Sequence, residues 1–196
     1  MNHLKSLRPL GAVLFGLLLG CQPESTTEEV EKPYFDLSGF LDLQVEQLSS
    51  IDLQLNKSTL LGEDTDQFSS VLQKEEWDQE FRFFYEVDIN QSILLDQYAP
   101  SLQKNGGAMI TRYSPKETME NGVQWLEIIQ TGGVVTQVSA FTFDKNALYT
   151  TQRMLEMNFE DKGGKAHLTD YEVKGFQKMV LKDTVNYSIQ GTVLYP

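Results

Sequence analysis

The groups best suited to chemistry are few and widely separated in this chain. It holds one cysteine, Cys21, and two histidines, His3 and His167. A zinc site draws three or four ligands from thiolates, imidazoles and carboxylates, and so small a set removes its usual forms. In GGKAHLTDYEV, strict alternation puts His167, Thr169 and Tyr171 on one strand face. A Ser-His-Asp arrangement needs an activated serine, and neither G-x-S-x-G nor a comparable nucleophile context occurs. Carboxylates are plentiful, 28 in all, so their pairing says little by number. Asp78 and Arg82 stand at the i,i+4 spacing of a helical ion pair, whereas Glu76 and Glu80 are like charges at the same spacing and Glu86 and Asp88 cannot share a helix face. GEDTDQ clusters oxygens but lacks the central glycine and closing glutamate of a calcium loop, and DKNALYTTQRML departs from that pattern too. Phosphate-cradling glycine loops are absent. The sequence therefore predicts no catalytic residue, no metal site and no cofactor.

Cys21 asks for a different explanation. Met1 to Arg8 carries two positive charges and no acid, and Gly11 to Gly20 follows without any charge. A basic start, an apolar run and a small residue before the cut describe a secretory signal peptide. The run is too short to span a bilayer, which needs roughly 20 apolar residues. A lone cysteine is commonly a small core hydrophobe, yet QPESTTEEVEKP, directly after it, offers no strongly apolar side chain except Val30.

Leu18-Leu19-Gly20-Cys21 resembles the lipobox of bacterial lipoproteins. The resemblance implies cleavage between Gly20 and Cys21, a diacylglyceryl group on the sulfur, and acylation of the new amino terminus. It explains the single thiol as an anchor, and His3 departs with the leader. Several acyl chains hold a protein stably at a bilayer where one binds marginally, so the expected partner is a membrane, reached through covalent lipid at Cys21. Residue 22 is glutamine; in Gram-negative lipoproteins aspartate there marks inner-membrane retention, so the resemblance points to the outer membrane.

Loss of residues 1–20 leaves 176 residues, a single-domain length. It removes Lys5 and Arg8, so 16 basic and 28 acidic side chains become 14 and 28, a net charge of −14. Such a surface repels phosphate backbones and excludes nucleic acid as a partner. Residues 21–33 read as the lipidated cysteine and a flexible acidic tether, because Gln22 to Pro33 cannot bury a core. Those twelve residues reach at most about 40 Å. Residues 34–196 read as one domain.

Two helices and a series of strands must then position everything else. Leu37, Phe40, Leu41, Val45 and Leu48 fall at helical spacings, with Asp36 as N-cap. Ile51, Leu53 and Leu55 alternate as a strand that turns near Asn56-Lys57-Ser58, forming a small hairpin. A second helix is expected over Ser69–Asp88, with Ser69 or Ser70 as its cap and Trp77, Phe81 and Phe84 on one face, and INQSILLDQYAPSLQKNGG reads as the connection that follows it. From Ala108 the period is two: Met109–Tyr113, Val123–Gln130, Val134–Phe143, Ala147–Phe159, Ala166–Gln177 and Thr184–Tyr195 read as strands joined by hairpin-length turns. The expected architecture is α+β: a curved antiparallel sheet of about six meander strands plus a small hairpin, one face covered by two amphipathic helices.

YFDLSGFLDLQ, EWDQEFRFFYEVDIN and YEVKGFQKMVLKDTVNYSIQGTVL together resemble a group of Gram-negative envelope lipoproteins, a likeness that implies location and a continuous fold but supplies no chemistry. The functional expectation is a lipid-anchored envelope protein acting as a binding or scaffold module, with an envelope protein or hydrophobic ligand as its partner. The alternative is a lipid or lipoprotein carrier gripping its ligand through Trp77, Phe81 and Phe84 in an apolar cavity between sheet and helices.

Overall fold

The structure is a computed structural model that describes residues 32–195. The signal peptide, Cys21 and nearly all of the tether lie outside the described residues. The chain order is α1 (Leu37–Ser49), β1 (Gln54–Leu61), β2 (Asp64–Val71), α2 (Lys74–Glu80), α3 (Arg82–Tyr85), then β3 (Tyr98–Asn105), β4 (Ala108–Pro115), β5 (Gly122–Thr131), β6 (Val134–Lys145), β7 (Tyr149–Asp161), β8 (Ala166–Met179) and β9 (Thr184–Leu194). All nine strands belong to one antiparallel sheet, ordered β2-β1-β9-β8-β7-β6-β5-β4-β3. Strands β3 to β9 form a meander. The β1–β2 hairpin then docks on its far edge, with Leu55 opposite Val193 and Leu61 opposite Tyr187.

The expectation of a six-stranded meander, a separate hairpin and two amphipathic helices is corrected here. The helix foreseen over Ser69–Asp88 begins only at Lys74, because residues 64–71 are held as β2 by their pairing with β1. Ser69 does not cap a helix; its hydroxyl donates to Asn56 across the hairpin. The capping interaction comes later, where the Gln73 amide donates to Glu76 Oε2 at 2.7 Å. That helix then breaks at Phe81 into a seven-residue and a four-residue piece. The break separates Asp78 from Arg82, whose expected ion pair is not among those formed by the described residues. Strand β1 runs straight through Asn56-Lys57-Ser58 and turns at Gly62-Glu63. The ninth strand, β3, lies in the stretch read as a connection.

Both missed strands are sheet edges. Every residue of β2 is exposed, as is every residue of β3 after Tyr98. An edge strand that packs against nothing on either face has no reason to alternate apolar and polar residues, and acids, lysine and Pro100 suit an edge that must resist further pairing.

One face of the sheet carries the helices. From α1, Leu37, Leu41, Val45 and Leu48 are buried, and Gln44 Nε2 donates to the Ala166 carbonyl at 3.1 Å. The start of α1 is tied to the segment after α3: the Asp88 carboxylate accepts from the Ser38 amide and hydroxyl, and Asn90 Nδ2 donates to the Phe35 carbonyl. Leu126, Ala140, Leu155 and Val173 stand opposite one another in register across β5–β8 and form the sheet's side of the core.

Strict alternation fails at one informative place. In β8, Ala166 and Leu168 are buried, and so are Tyr171 and Val173. The phase slips because Asn158 pairs with Asp170 while the next residue, Phe159, pairs with Leu168, leaving Thr169 as a bulge. His167 and Tyr171 therefore face opposite sides of the sheet rather than the same one.

Candidate functional site

Trp77, Phe81 and Phe84 are fully buried. Phe81 and Phe84 both meet Tyr171 edge-on, with ring centroids 6.3 and 6.1 Å away, and Trp77 lies 5.7 Å from Phe81. This places four aromatic side chains in one packed block between α2–α3 and the sheet. Across β8–β9, Gly191 stands opposite Tyr171, and a Cβ there would overlap the tyrosine ring. The Tyr171 hydroxyl donates to Glu80, whose carboxylate also pairs with Lys57 Nζ. Burial foremost, and then the negative charge of Glu80, pushes the Tyr171 phenol well above the usual tyrosine range.

The sheet outruns this block. Helix α3 ends at Tyr85, whereas β7 to β9 continue toward the β6–β7 and β8–β9 turns. The helix-bearing face is thereby more open along Gln177, Tyr187 and Ile189, while Thr151 stays buried. These residues surround an open hollow of about 340 Å³ lined by Phe83, Asp144, Tyr149, Thr151, Arg153, Gln177, Tyr187 and Ile189. Register explains the set: Arg153 is opposite Gly175, which is opposite Tyr187. A side chain at residue 175 would press on the Gln152 carbonyl and stand 3.0 Å from the Tyr187 hydroxyl. The missing side chain lets the Tyr187 ring lie across β8.

Electrostatics at the rim are organised by Phe83. The guanidinium groups of Arg82 and Arg153 each lie 5.1 Å from its ring centroid, and Arg153 Nη1 donates to Glu86 Oε2 at 2.8 Å. Phe83 thus keeps an arginine on its face while Glu86 orients that arginine. A second hollow, of about 480 Å³, shares Gln177 and continues toward the β8–β9 turn along Met179, Leu181, Lys182, Asp183 and Val185. The two form one shelf. It combines tyrosine and phenylalanine faces with amide, hydroxyl, carboxylate and guanidinium groups, a mixture that suits recognition of a polar chain with apolar side groups.

His167 takes no part in the shelf. It lies near the opposite end of β8, its ring 5.7 Å from that of Tyr195, and its Nδ1 is buried without a hydrogen-bond partner. Burial, reinforced by Lys162 and Lys165, holds its pKa below the ordinary histidine value. No serine, cysteine or carboxylate among the described residues makes a hydrogen bond to it. Among the described residues no cluster of three or more His, Cys, Asp or Glu side chains is placed to hold a metal ion, and no helix is long and apolar enough to cross a membrane.

Of the residues singled out in the sequence, Trp77, Phe81 and Phe84 come together, and they do so inside the packed block rather than on the hollow's wall. Gly20 and Cys21 lie outside the described residues. The shelf residues carried no motif; Tyr187 and Ile189 lay in the strand expected over Thr184–Tyr195, where their alternation reads equally as core. No protein-family model, curated protein or solved structure matches this chain.

Proposed function

We propose that the chain is a lipid-anchored protein of the cell envelope, attached to the outer membrane through acylated Cys21, and that it acts as a binding or scaffold module whose partner is an extended segment of another envelope protein. One observation supports this reading above others. The space beneath the helices is filled by Trp77, Phe81, Phe84 and Tyr171, whereas the uncovered shelf beyond α3 mixes aromatic faces with hydrogen-bonding groups. An acyl chain on that shelf would leave Asp144, Gln177 and the tyrosine hydroxyls facing hydrocarbon, which is costly. A peptide segment can pair with them and stack its side chains on Phe83, Tyr149 and Tyr187.

The test joins the two halves of the proposal. A photo-crosslinking side chain at Tyr187 in living cells is expected to give a discrete protein adduct that is absent when the same group replaces Thr131, at the far end of the sheet. Adducts of equal yield at both positions, or lipid carried through purification in native mass spectra, would remove the binding reading, the second outcome in favour of a carrier. For the anchor, Cys21→Ser is expected to abolish both incorporation of a fatty-acid analogue and retention in the membrane fraction.

A further inference from the structure

The helices cover one face of the sheet, and the other face is not simply wet. On β5 to β8 the residues that alternate with Leu126, Ala140, Leu155 and Val173 point away from the helices. A solvent-facing side of an antiparallel sheet is expected to be polar, and one row there is: Arg112, Glu127, Ser139, Glu156 and Glu172 stand in register. The next two rows break the rule. Trp125, Phe141 and Met154 lie opposite one another, and Phe143 and Phe176 follow on either side of Gln152. All five apolar side chains are partly exposed. A last row holds Lys145, Thr150 and Lys178.

The patch is preformed. The Trp125 and Phe141 rings stack at 27° with centroids 6.4 Å apart, and the Arg112 guanidinium lies 4.3 Å from the Trp125 ring while its Nε donates to Glu127. Single exposed apolar residues are ordinary, but a contiguous group marks contact with a partner. Charge on the same face names the partner. Its lysine row, Lys145 and Lys178, makes no ion pair among the described residues. The acids of that end are placed elsewhere: Asp144 lines the hollow on the helix-bearing face, Asp64 shares that side through its register with Leu61, and Glu63, Glu120 and Asp183 sit in turns. The apolar rows are therefore bounded by glutamates on one side and lysines on the other, a pattern complementary to its own reverse.

Row order makes the fit specific. On β6 the four rows read Ser139, Phe141, Phe143, Lys145, and on β8 they read Glu172, Lys174, Phe176, Lys178, with no bulge between them. A second copy laid face to face, about a two-fold axis that crosses the strands between the two apolar rows, reverses this order. Phe141 then meets the second copy's Phe143, and Glu172 meets its Lys178. Lys145 comes over the small Ser139, between Glu127 and Glu156. An axis along the strands would instead stack glutamate upon glutamate, so charge selects the crossed arrangement. Size agrees as well. The six strands β4 to β9, at about 4.8 Å spacing, and four rows about 6.8 Å apart give a footprint of roughly 800 Å², which is about what each partner contributes to a stable interface.

We propose that this face joins two copies of the chain in a two-fold dimer, sheet against sheet, with Phe141 of each copy on Phe143 of the other and Glu172 on Lys178. Aligned sheets pack in this way about 10 Å apart. The helix-bearing faces look outward, so one dimer presents two shelves. The dimer argument stands without the lipid and without the shelf's ligand.

The experiment uses the full chain carrying Cys21→Ser, so that no native thiol or lipid takes part. Sedimentation equilibrium is expected to give twice the mass of one chain. Phe141→Glu should weaken association at least tenfold while the urea midpoint is kept. Glu172→Lys and Lys178→Glu should each weaken it at least tenfold, and the two together should largely restore it, because the pair is rebuilt with its signs exchanged. Glu172→Cys with Lys178→Cys should form a disulfide-linked dimer on oxidation, whereas neither alone should. A monomer at every concentration, a dimer indifferent to Phe141→Glu, or a double reversal as weak as the single ones would overturn the proposal. So would a photo-crosslinker at Phe141 that captures only other proteins in cells. Because the chain tested is unlipidated and its shelf is unchanged, failure of the Cys21 anchor or of the peptide partner leaves the result readable.

Discussion

Phe81 and Phe83 are two residues apart, yet they belong to different regions of the molecule. Phe81 is fully enclosed by Trp77, Phe84 and Tyr171, while Phe83 stands half-buried at the mouth of the hollow with two arginine guanidinium groups against its ring. The difference comes from the lengths of the two layers. The helical layer stops at Tyr85, and the strands beneath it do not. Where α2 and α3 cover the sheet, Trp77, Phe81, Phe84 and Tyr171 pack together and the region contributes stability. Where the sheet continues alone, the same residue types are left half-exposed among polar groups, and the region is free to contact something else. Aromatic content alone therefore does not locate a binding surface in this fold; coverage does.

The largest expected effect breaks the comparison if it fails. Phe81→Ala removes a large aromatic from a packed block and is expected to cost about 3–5 kcal/mol, a sizeable share of a domain stability of roughly 5–15 kcal/mol. Phe83→Ala, at the rim, is expected to cost about 1 kcal/mol or less, closer to an ordinary surface substitution. Urea midpoints for the two variants measure both. Comparable losses would mean that the shelf is part of the core, and comparable small losses would mean that the block is not packed as described.

Gly191 sharpens the same contrast from the sheet's side. A side chain there would overlap the buried Tyr171 ring, and that ring is held by Phe81, Phe84 and its bond to Glu80. Gly191→Ala is expected to destabilise by about 1–3 kcal/mol, as overpacking in a tight core does. Combined with Tyr171→Ala, which opens the space, the two losses should sum to clearly more than the double variant shows. Strict additivity would indicate that the ring moves aside freely.

Much of the meander was legible in the sequence, and the reasons for success and failure are local. Strands β5 to β8 have one buried face each, so apolar residues recur at every second position and glycine or asparagine marks the turns. The edge strands β2 and β3 bury almost nothing, and their sequences, DTDQFSSV and YAPSLQKN, carry no such rhythm. Ser69 and Ser70 looked like helix caps because an exposed strand and a helix start use the same small polar residues. The shelf was illegible for a different reason. Tyr187, Gln177 and Arg153 are joined by cross-strand register and by the early end of α3, neither of which is written in any short window of residues. Thr169 shows the limit of periodicity itself, since one bulged residue sends His167 and Tyr171 to opposite faces.

The smallest expected effect concerns His167, which lies away from both regions. Its folded-state pKa is held below the ordinary value, first by burial and then by Lys162 and Lys165. The unfolded chain, with a histidine pKa of about 6.5, therefore takes up a proton before the folded one does as pH falls. By linkage, stability is intact above that value and is lost as pH drops through it toward the folded pKa. Asp36 and Glu172 are also held below their ordinary values, Asp36 chiefly by its bond to Lys32 and Glu172 by Lys174 and Gln190 against the cost of burial. Their contributions are lost at lower pH, near and below about 4.5, so the two windows separate. His167→Asn is expected to flatten the decline of Tm as pH falls below about 6.5 while leaving the steeper acid limb in place. The same substitution should leave crosslinking from Tyr187 unchanged, because the histidine stands at the other end of β8; a loss of crosslinking would tie the two ends of the sheet together and dissolve the division between them.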